Sequence, residues 1–223
     1  MVDKAKSKQP ARPRTQAEIN EYRRQLLIEG TIKSMAERGV AGTTVRSICA
    51  DAGNSRGLIG HYYANKEDLV AEAFRHLFSM ISRHVMEAQA RAGGSAIERL
   101  RAIPKAVFSP PVFTDMHRAA FLAFWHEIRF NPAVRAINAE LYRDYAKRTR
   151  ALFAEAAAEC GVDIDHHGAA SGLVALVDGM WLELSIDEKM VARGKAIELC
   201  LRYIDQQLFP PREAGPRHGK TKA

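Results

Sequence analysis

The chain has little cysteine, and its cysteines and histidines lack the spacing of a disulfide scaffold or a metal site. Its 223 residues include three cysteines, Cys49, Cys160 and Cys200, none in a CxxC pair. An odd, scattered count argues against a disulfide-stapled fold and fits a reducing compartment. His166 and His167 are adjacent, so they occupy different helix faces, and no ligand set accompanies them. We predict no metal and no cofactor.

The chain also lacks the short motifs that organise common catalytic sites. It contains no GxSxG, no P-loop and no GxGxxG. His126 and Glu127 begin a metalloprotease HExxH pattern, but Phe130 stands where the second histidine ligand is needed. We therefore predict no enzymatic activity and no catalytic residue.

Long hydrophobic runs are missing as well. The most apolar run, residues 168–184, is interrupted by Asp178 and Glu183 and is too short and too charged for a membrane span. The first residues are basic but lack the apolar core of a signal peptide. We predict a soluble cytoplasmic protein without a membrane partner.

What the chain does have is apolar residues at helical spacing. No alternating strand pattern and no internal repeat occurs. The fold class we predict is all-α with about nine helices. Two short helices lie within residues 43–66, and the long helices cover residues 17–38, 65–91, 96–107 (bent or interrupted at Pro104), 113–130, 132–160, 164–186 and 191–208.

The positive charge is unevenly distributed and suggests a division of labour. Residues 1–66 hold 12 Lys/Arg and 6 Asp/Glu, a net of +6, whereas residues 67–209 hold 17 and 19, a net of −2. We predict a flexible basic arm (1–15), a DNA-binding head (16–66), a body (67–209) and a flexible tail (210–223). Basicity concentrated in the head favours a nucleic-acid partner. The arm is either a solvated tail or a segment that reaches into a minor groove.

Residues 43–66 have the features of a helix-turn-helix. Thr44 can cap the first short helix, and Gly53 can supply a left-handed turn residue. Ser55 can cap the second helix, which in this motif lies in the DNA major groove. Hydrogen-bond donors suited to phosphates and base edges cluster in this span: Arg46, Ser55, Arg56, His61, Tyr62 and Lys66.

The run TTVRSICADAGNSRGLIGHYYANKEDL, beginning at Thr43, resembles the N-terminal domain of the TetR family of bacterial transcriptional repressors. The resemblance implies a dimer that binds a palindromic DNA operator and is released when an effector in the body shifts the fourth helix. It implies phosphate contacts from Thr44, Tyr62 and Lys66. It also implies that other donors lie near base edges: Arg46, Ser55, Arg56 and, near either bases or phosphates, His61.

Three segments are similar to the choline-responsive BetI branch of that family: GLIGHYY, FLAFW and GLVALVDGMWL. This similarity implies a quaternary ammonium effector, which lacks an N–H donor and is held by aromatic faces near a carboxylate. The candidate effector-binding residues are Phe121, Phe124, Trp125, Asp178 and Trp181, with Glu127 and Tyr145 as weaker candidates. Two alternatives stay open: the aromatic residues form ordinary core, or the effector is a hydrophobic drug or metabolite.

Small residues recur along the helix predicted at 164–186. Gly168, Gly172, Ala175 and Gly179 form one stripe, and such a stripe allows another helix to approach closely. We predict a homodimer in which the last two helices pair with their copies as a four-helix bundle. The alternative is that the stripe packs inside one subunit.

Overall fold

The computed structural model describes residues 15–53 and 56–209, with only the backbone of Arg56. The predictions for the arm (1–14), for Ser55 and for the tail (210–223) lie outside this part of the chain. The described residues form helices and no strand. The helices are α1 (Gln16–Gly42), α2 (Val45–Asp51), α3 (Arg56–Tyr62), α4 (Lys66–Arg91), α5 (Ala96–Val107), α6 (Asp115–Phe130), α7 (Pro132–Cys160), α8 (His166–Ile186) and α9 (Arg193–Leu208).

Helix α1 begins and breaks at residues with clear local reasons. The Thr15 side chain accepts a hydrogen bond from the Glu18 amide (3.1 Å), and Glu18 accepts one from the Thr15 amide (3.0 Å), which completes a capping box. The helix breaks at Gly39, where φ of 64° and ψ of −169° are accessible to glycine. The predicted end of the helix at this glycine is therefore where its regular geometry stops, although a last turn continues to Gly42.

The α2 region follows the predicted motif. The Thr44 hydroxyl caps α2 by accepting a hydrogen bond from the Ser47 amide (3.1 Å). The Ser47 hydroxyl in turn accepts a hydrogen bond from the Thr44 amide (2.9 Å). Gly53 adopts φ of 63° after the helix, as the left-handed turn requires. A Cβ atom on Gly30 of α1 would lie 2.9 Å from Ala52 and from the Ile48 carbonyl. Glycine at position 30 therefore allows α1 and α2 to cross in close contact.

The remaining helices form the body around an aromatic core. Phe74 of α4 packs against Phe124 of α6 with ring centroids 5.3 Å apart, and both side chains are fully buried. Helix α5 continues through Pro104 as one helix, so the predicted interruption does not occur. Helix α6 packs along α1 in the largest helix–helix interface of the described residues, and α4 also contacts α1. Two helices thus connect the body with the head.

Helix α8 has an apolar outer face. By length and composition this helix could cross a membrane, but core helices of soluble proteins can have the same length and composition. Gly172 packs within the chain, because a Cβ there would lie 2.0 Å from the Tyr203 hydroxyl of α9. Gly179 faces open space, and Ile186 is 64% exposed. The stripe is therefore divided between an internal contact and an outward face.

Candidate DNA-binding surface and effector cavity

The predicted DNA-contacting residues lie at one end of the molecule, on α2, α3 and the start of α4. Thr44, Arg46 and His61 are exposed, whereas Tyr62 and Lys66 are partly buried. The Tyr62 hydroxyl donates to Asn20 of α1 (3.0 Å). Of the other two predicted residues, Arg56 begins α3 and Ser55 lies outside the described residues.

Lys66 connects the start of α4 with the helix-turn-helix. Its ammonium group donates to the Thr43 carbonyl (3.3 Å) just before α2, and it lies 3.9 Å from Glu67. Lysine has three N–H donors, so a phosphate contact is compatible with the bond to Thr43.

Helix α2 is fixed to α1 by polar contacts. Arg38 donates two bonds to the Asp51 carboxylate (2.6 and 3.3 Å), and Lys33 lies 3.7 Å from the same group. Ser34 and Ser47 share a hydrogen bond of 2.8 Å. A paired arginine and carboxylate fix orientation as well as distance. The head is therefore held so that a movement of α1 carries α2 with it.

A cavity of about 70 Å³ lies in the body between α4, α5, α6, α7 and α8. One water molecule needs roughly 10–15 Å³ of such space, so the cavity has room for more than one water-sized group. Four of the five main candidates line it, whereas Phe124 is fully buried against Phe74 in the core. Its wall consists mainly of aromatic and aliphatic side chains with a few polar groups: Phe78, Ile81, Ser82, Val85, Met86, Gln89, Ile103, Val107, Phe121, Trp125, Tyr142, Tyr145, Arg148, Thr149, Val177, Asp178 and Trp181.

The aromatic residues of the cavity contact one another edge to face. The Phe121 ring lies 5.5 Å from Trp181 and 6.2 Å from Trp125, measured between centroids. On the opposite side Phe78 packs against Tyr142 at 5.3 Å. Edge-to-face packing fixes the orientation of the rings and leaves some ring faces for another contact.

Asp178 places a carboxylate in this aromatic wall. Burial raises the pKa of its carboxyl to about 6, although hydrogen bonding with the Tyr142 hydroxyl lowers it. No basic side chain among the described residues contributes to that pKa. A carboxylate without a cation in an apolar site is costly to ionise, so a cationic ligand would stabilise it.

Two further polar atoms near the cavity have no partner. The Tyr145 hydroxyl and the Trp181 indole nitrogen are buried and form no hydrogen bond with the described residues. Burial also raises the pKa of Tyr145 above its usual range. A buried donor without an acceptor costs about 1–3 kcal/mol, so both donors favour a partner that brings an acceptor atom.

The sequence reading missed part of the α7 wall. Tyr142 and Arg148 line the cavity but are not among the residues predicted from the sequence to bind the effector. The signal was present in Tyr142, Tyr145 and Thr149, whose spacing of three and four residues puts them on one face of the helix. The weaker candidate Glu127 lies elsewhere, near the start of α7, where it accepts a bond from Asn131 (3.2 Å).

Among the residues described, no cluster of three or more His, Cys, Asp or Glu side chains is arranged to hold a metal ion. Cys49 and Cys200 are buried, and burial raises the pKa of the Cys200 thiol to about 11. A protonated, buried thiol is a poor nucleophile and a poor metal ligand.

A helical head with a helix-turn-helix, joined to a helical body with a cavity, is the architecture of a ligand-responsive DNA-binding regulator. Residues 27–73 match the family model described as bacterial regulatory proteins, tetR family. Residues 96–208 match the model described as BetI-type transcriptional repressor, C-terminal. The chain belongs to the TetR family of transcriptional regulators, with a C-terminal part of the BetI type, and it is a regulator rather than an enzyme.

Individual relatives agree with this assignment. The chain is 31% identical over 195 residues to the HTH-type transcriptional regulator BetI of Burkholderia mallei, covering 86% of this chain and 96% of that protein. A transcriptional regulator from Pseudomonas aeruginosa PAO1 is 34% identical, with a TM-score of 0.76 over 83% of this chain and 89% of its own. A regulator from Saccharomonospora viridis, solved in complex with choline, shares the fold at 24% identity, with a TM-score of 0.65 over 82% of this chain and 93% of its own.

Proposed function

We propose that the protein is a dimeric repressor that binds a palindromic operator and is released by choline or a related quaternary ammonium compound. The observation that carries the effector assignment is Asp178, a buried carboxylate in an aromatic cavity whose hydrogen-bond partner is the neutral Tyr142 hydroxyl and not a basic side chain. A quaternary ammonium has no N–H to donate, so it is stabilised by ring faces and by a nearby negative charge. The choline-bound relative from Saccharomonospora viridis supports the same ligand class.

The size of the cavity supports a small effector. A cavity of about 70 Å³ has room for more than one water-sized group, which is the scale of a small cation such as choline and not of a large drug. The choline hydroxyl would also offer an acceptor to the buried donors of Tyr145 and Trp181. Large drugs would need the helices to separate, so the alternative of a hydrophobic drug effector is less well supported.

In the proposed DNA complex, α3 enters the major groove and α2 crosses the backbone. Thr44, Tyr62 and Lys66 contact phosphates, Arg46 lies near base edges, and His61 lies near either bases or phosphates. We place Ser55 and Arg56 at base edges, since short side chains and arginine near the start of a recognition helix read bases. We also propose a cytoplasmic location, where the operator is found.

The dimer is proposed to form through α8 and α9. The exposed apolar side chains at the end of α8, Leu182 and Ile186, and the open face at Gly179 support a contact with a second copy. In a two-fold dimer the two recognition helices would lie about 34–36 Å apart, one turn of DNA.

Two experiments test this function. Arg56→Ala should abolish specific retention of the protein's own upstream DNA in a mobility-shift assay, whereas Arg150→Ala, on the exposed part of α7, should not. Unchanged retention by the Arg56 variant would refute the operator assignment.

In the second experiment, choline is titrated against the protein–DNA complex, with a fatty acid and a planar drug as controls. Release by the drug and not by choline would assign the cavity to a hydrophobic effector.

A further inference from the structure

One buried arginine connects the effector cavity with the helix that contacts the head. Arg118 lies two turns from the cavity residue Trp125 on α6 and is only 8% exposed. Its guanidinium donates to the Asp115 carboxylate (2.6 Å) in the first turn of α6. It also donates to the Leu184 carbonyl in the last turn of α8 and to the Glu188 carboxylate beyond α8.

These acceptors come from two segments, the first turn of α6 itself and the end of α8 with the residues just beyond it, so one side chain joins the start of α6 to the end of α8. A guanidinium can serve several acceptors at once because its N–H groups point in fixed directions. Arg118 is buried, whereas the carboxylates of Asp115 and Glu188 are exposed, so the bond to the Leu184 carbonyl is the buried part of this contact. The end of α8 is therefore held to α6 by a directional contact as well as by apolar packing.

The same side chain is linked to the aromatic wall of the cavity through Phe113, which does not itself line the cavity. The guanidinium carbon of Arg118 lies 5.1 Å from the Phe113 ring centroid, and Phe113 packs edge to face on Trp181 at 5.0 Å. Trp181 and Phe121 both line the cavity and contact each other. A ligand that displaces Trp181 therefore acts on a group attached to both helices.

Helix α6 leads from there to the head. Its interface with α1 is the largest in the described part of the chain. Helix α1 in turn holds α2 through the Arg38–Asp51 pair. A movement of α6 as a rigid body would reach α2, whereas a local adjustment of α6 against α8 would not.

We propose that Arg118 is a positioning residue for effector response, because it makes α6 and α8 move as one unit and so transmits ligand binding to α1. It does not bind the effector or DNA itself. This inference rests on the proposed function. If Arg118 only stabilised the fold, its loss would not change the response to the effector. We expect its loss to reduce the effect of choline on operator binding while the protein still binds choline and operator separately.

The first test compares Arg118→Gln and Glu188→Gln with Arg101→Gln. The control breaks an interhelical ion pair of similar geometry, Arg101–Asp205 (2.6 Å), which joins α5 to α9 and does not border the cavity. Glu188 is an exposed loop residue, so its variant keeps the fold even if Arg118→Gln does not. Operator affinity is measured with and without saturating choline, and choline affinity is measured without DNA.

Coupling between two sites usually corresponds to a 5- to 150-fold change in affinity. We expect both test variants to bind choline and free operator within about threefold of the wild type, while the choline-induced loss of operator affinity shrinks at least fivefold. Arg101→Gln should keep the wild-type ratio. Three results would overturn the proposal. The choline-induced loss of operator affinity could be unchanged in the test variants, it could shrink equally in the Arg101→Gln control, or Glu188→Gln could fail to bind choline.

A second measurement does not depend on the effector. Hydrogen exchange of the α1 amides over residues 27–35, the buried part of that helix, should be faster in Arg118→Gln or Glu188→Gln and unchanged in Arg101→Gln. If choline fails to release the wild-type protein, the effector assignment is wrong and the exchange data alone decide the role of Arg118. Unchanged exchange in α1 would then overturn it.

Discussion

Replacing Asp178 by asparagine should weaken effector binding and at the same time stabilise the protein. The carboxyl pKa is raised from 3.8 to about 6 by burial. A difference of about two pKa units corresponds to roughly 3 kcal/mol, at about 1.4 kcal/mol per unit. Because the folded pKa lies above the unfolded one, the ionised carboxylate destabilises the fold, and this cost grows as the pH rises from about 4 to 6 and is complete above it.

Asparagine has nearly the same shape and cannot ionise, so it should remove this cost. We expect the free energy of unfolding at pH 7.5 to rise by about 1–3 kcal/mol, which for a chain of this size raises the melting temperature by about 2–10 °C. Choline affinity should fall by about 10- to 100-fold, because the cation loses its carboxylate.

The pH dependence gives an independent check. In the wild-type protein, lowering the pH from 7.5 to 5.0 should reduce choline affinity about tenfold, since a group with a pKa of about 6 is then mostly protonated. In Asp178→Asn the affinity should be low and independent of pH. Isothermal titration calorimetry at both pH values and thermal unfolding without ligand provide the measurements. The carboxylate has a structural role instead if Asp178→Asn binds choline with an affinity within threefold of the wild type, or if its melting temperature is lower than that of the wild type.

Three further predictions concern the helix crossing, the dimer and the DNA contact. Gly30→Ala should lower the free energy of unfolding by about 1–3 kcal/mol in denaturant unfolding, because its Cβ would lie 2.9 Å from the Ile48 carbonyl and the Ala52 amide nitrogen. Gly194→Ala is the control, since a Cβ there meets nothing within 4 Å, and it should leave the free energy of unfolding unchanged or raise it. Ile186→Asp should shift the protein from dimer to monomer in light scattering, while the equally exposed Phe130→Asp should not. If both variants remain dimers, the end of α8 is not part of the dimer interface. Lys66→Ala should reduce the salt dependence of operator binding by about two units of log–log slope per dimer, one for each lost phosphate contact, and an unchanged slope would exclude that contact.

The all-helical fold was largely predictable because helix limits depend on local chemistry. Thr44 and Gly53 act through hydrogen bonds and backbone angles within a few residues, and the structure places them as predicted. Of the two outcomes predicted at Pro104, a bend or an interruption, the interruption does not occur. Proline is destabilising within a helix, but this one is buried, and tertiary packing offsets such a cost.

The cavity shows the limits of the same approach. Trp125, Asp178 and Trp181 were identified by residue type, but their spacing alone does not distinguish core from cavity, since both need apolar faces. Arg118 had no sequence signal at all. Its partners Leu184 and Glu188 lie 66 and 70 residues away, and only the packing of α6 against the end of α8 brings them together.

The sequence by itself determined that this chain is helical, that residues 43–66 form a helix-turn-helix, and which family the protein belongs to. These properties depend on local hydrogen bonding, on periodicity and on a motif within one continuous segment. The tertiary structure decided that five helices enclose a cavity, that Tyr142 of α7 stands beside Asp178 of α8, and that Gly172 packs within the chain while Gly179 faces outward. The physical reason is that burial and distance between helices depend on how their faces pack, which no single helix specifies.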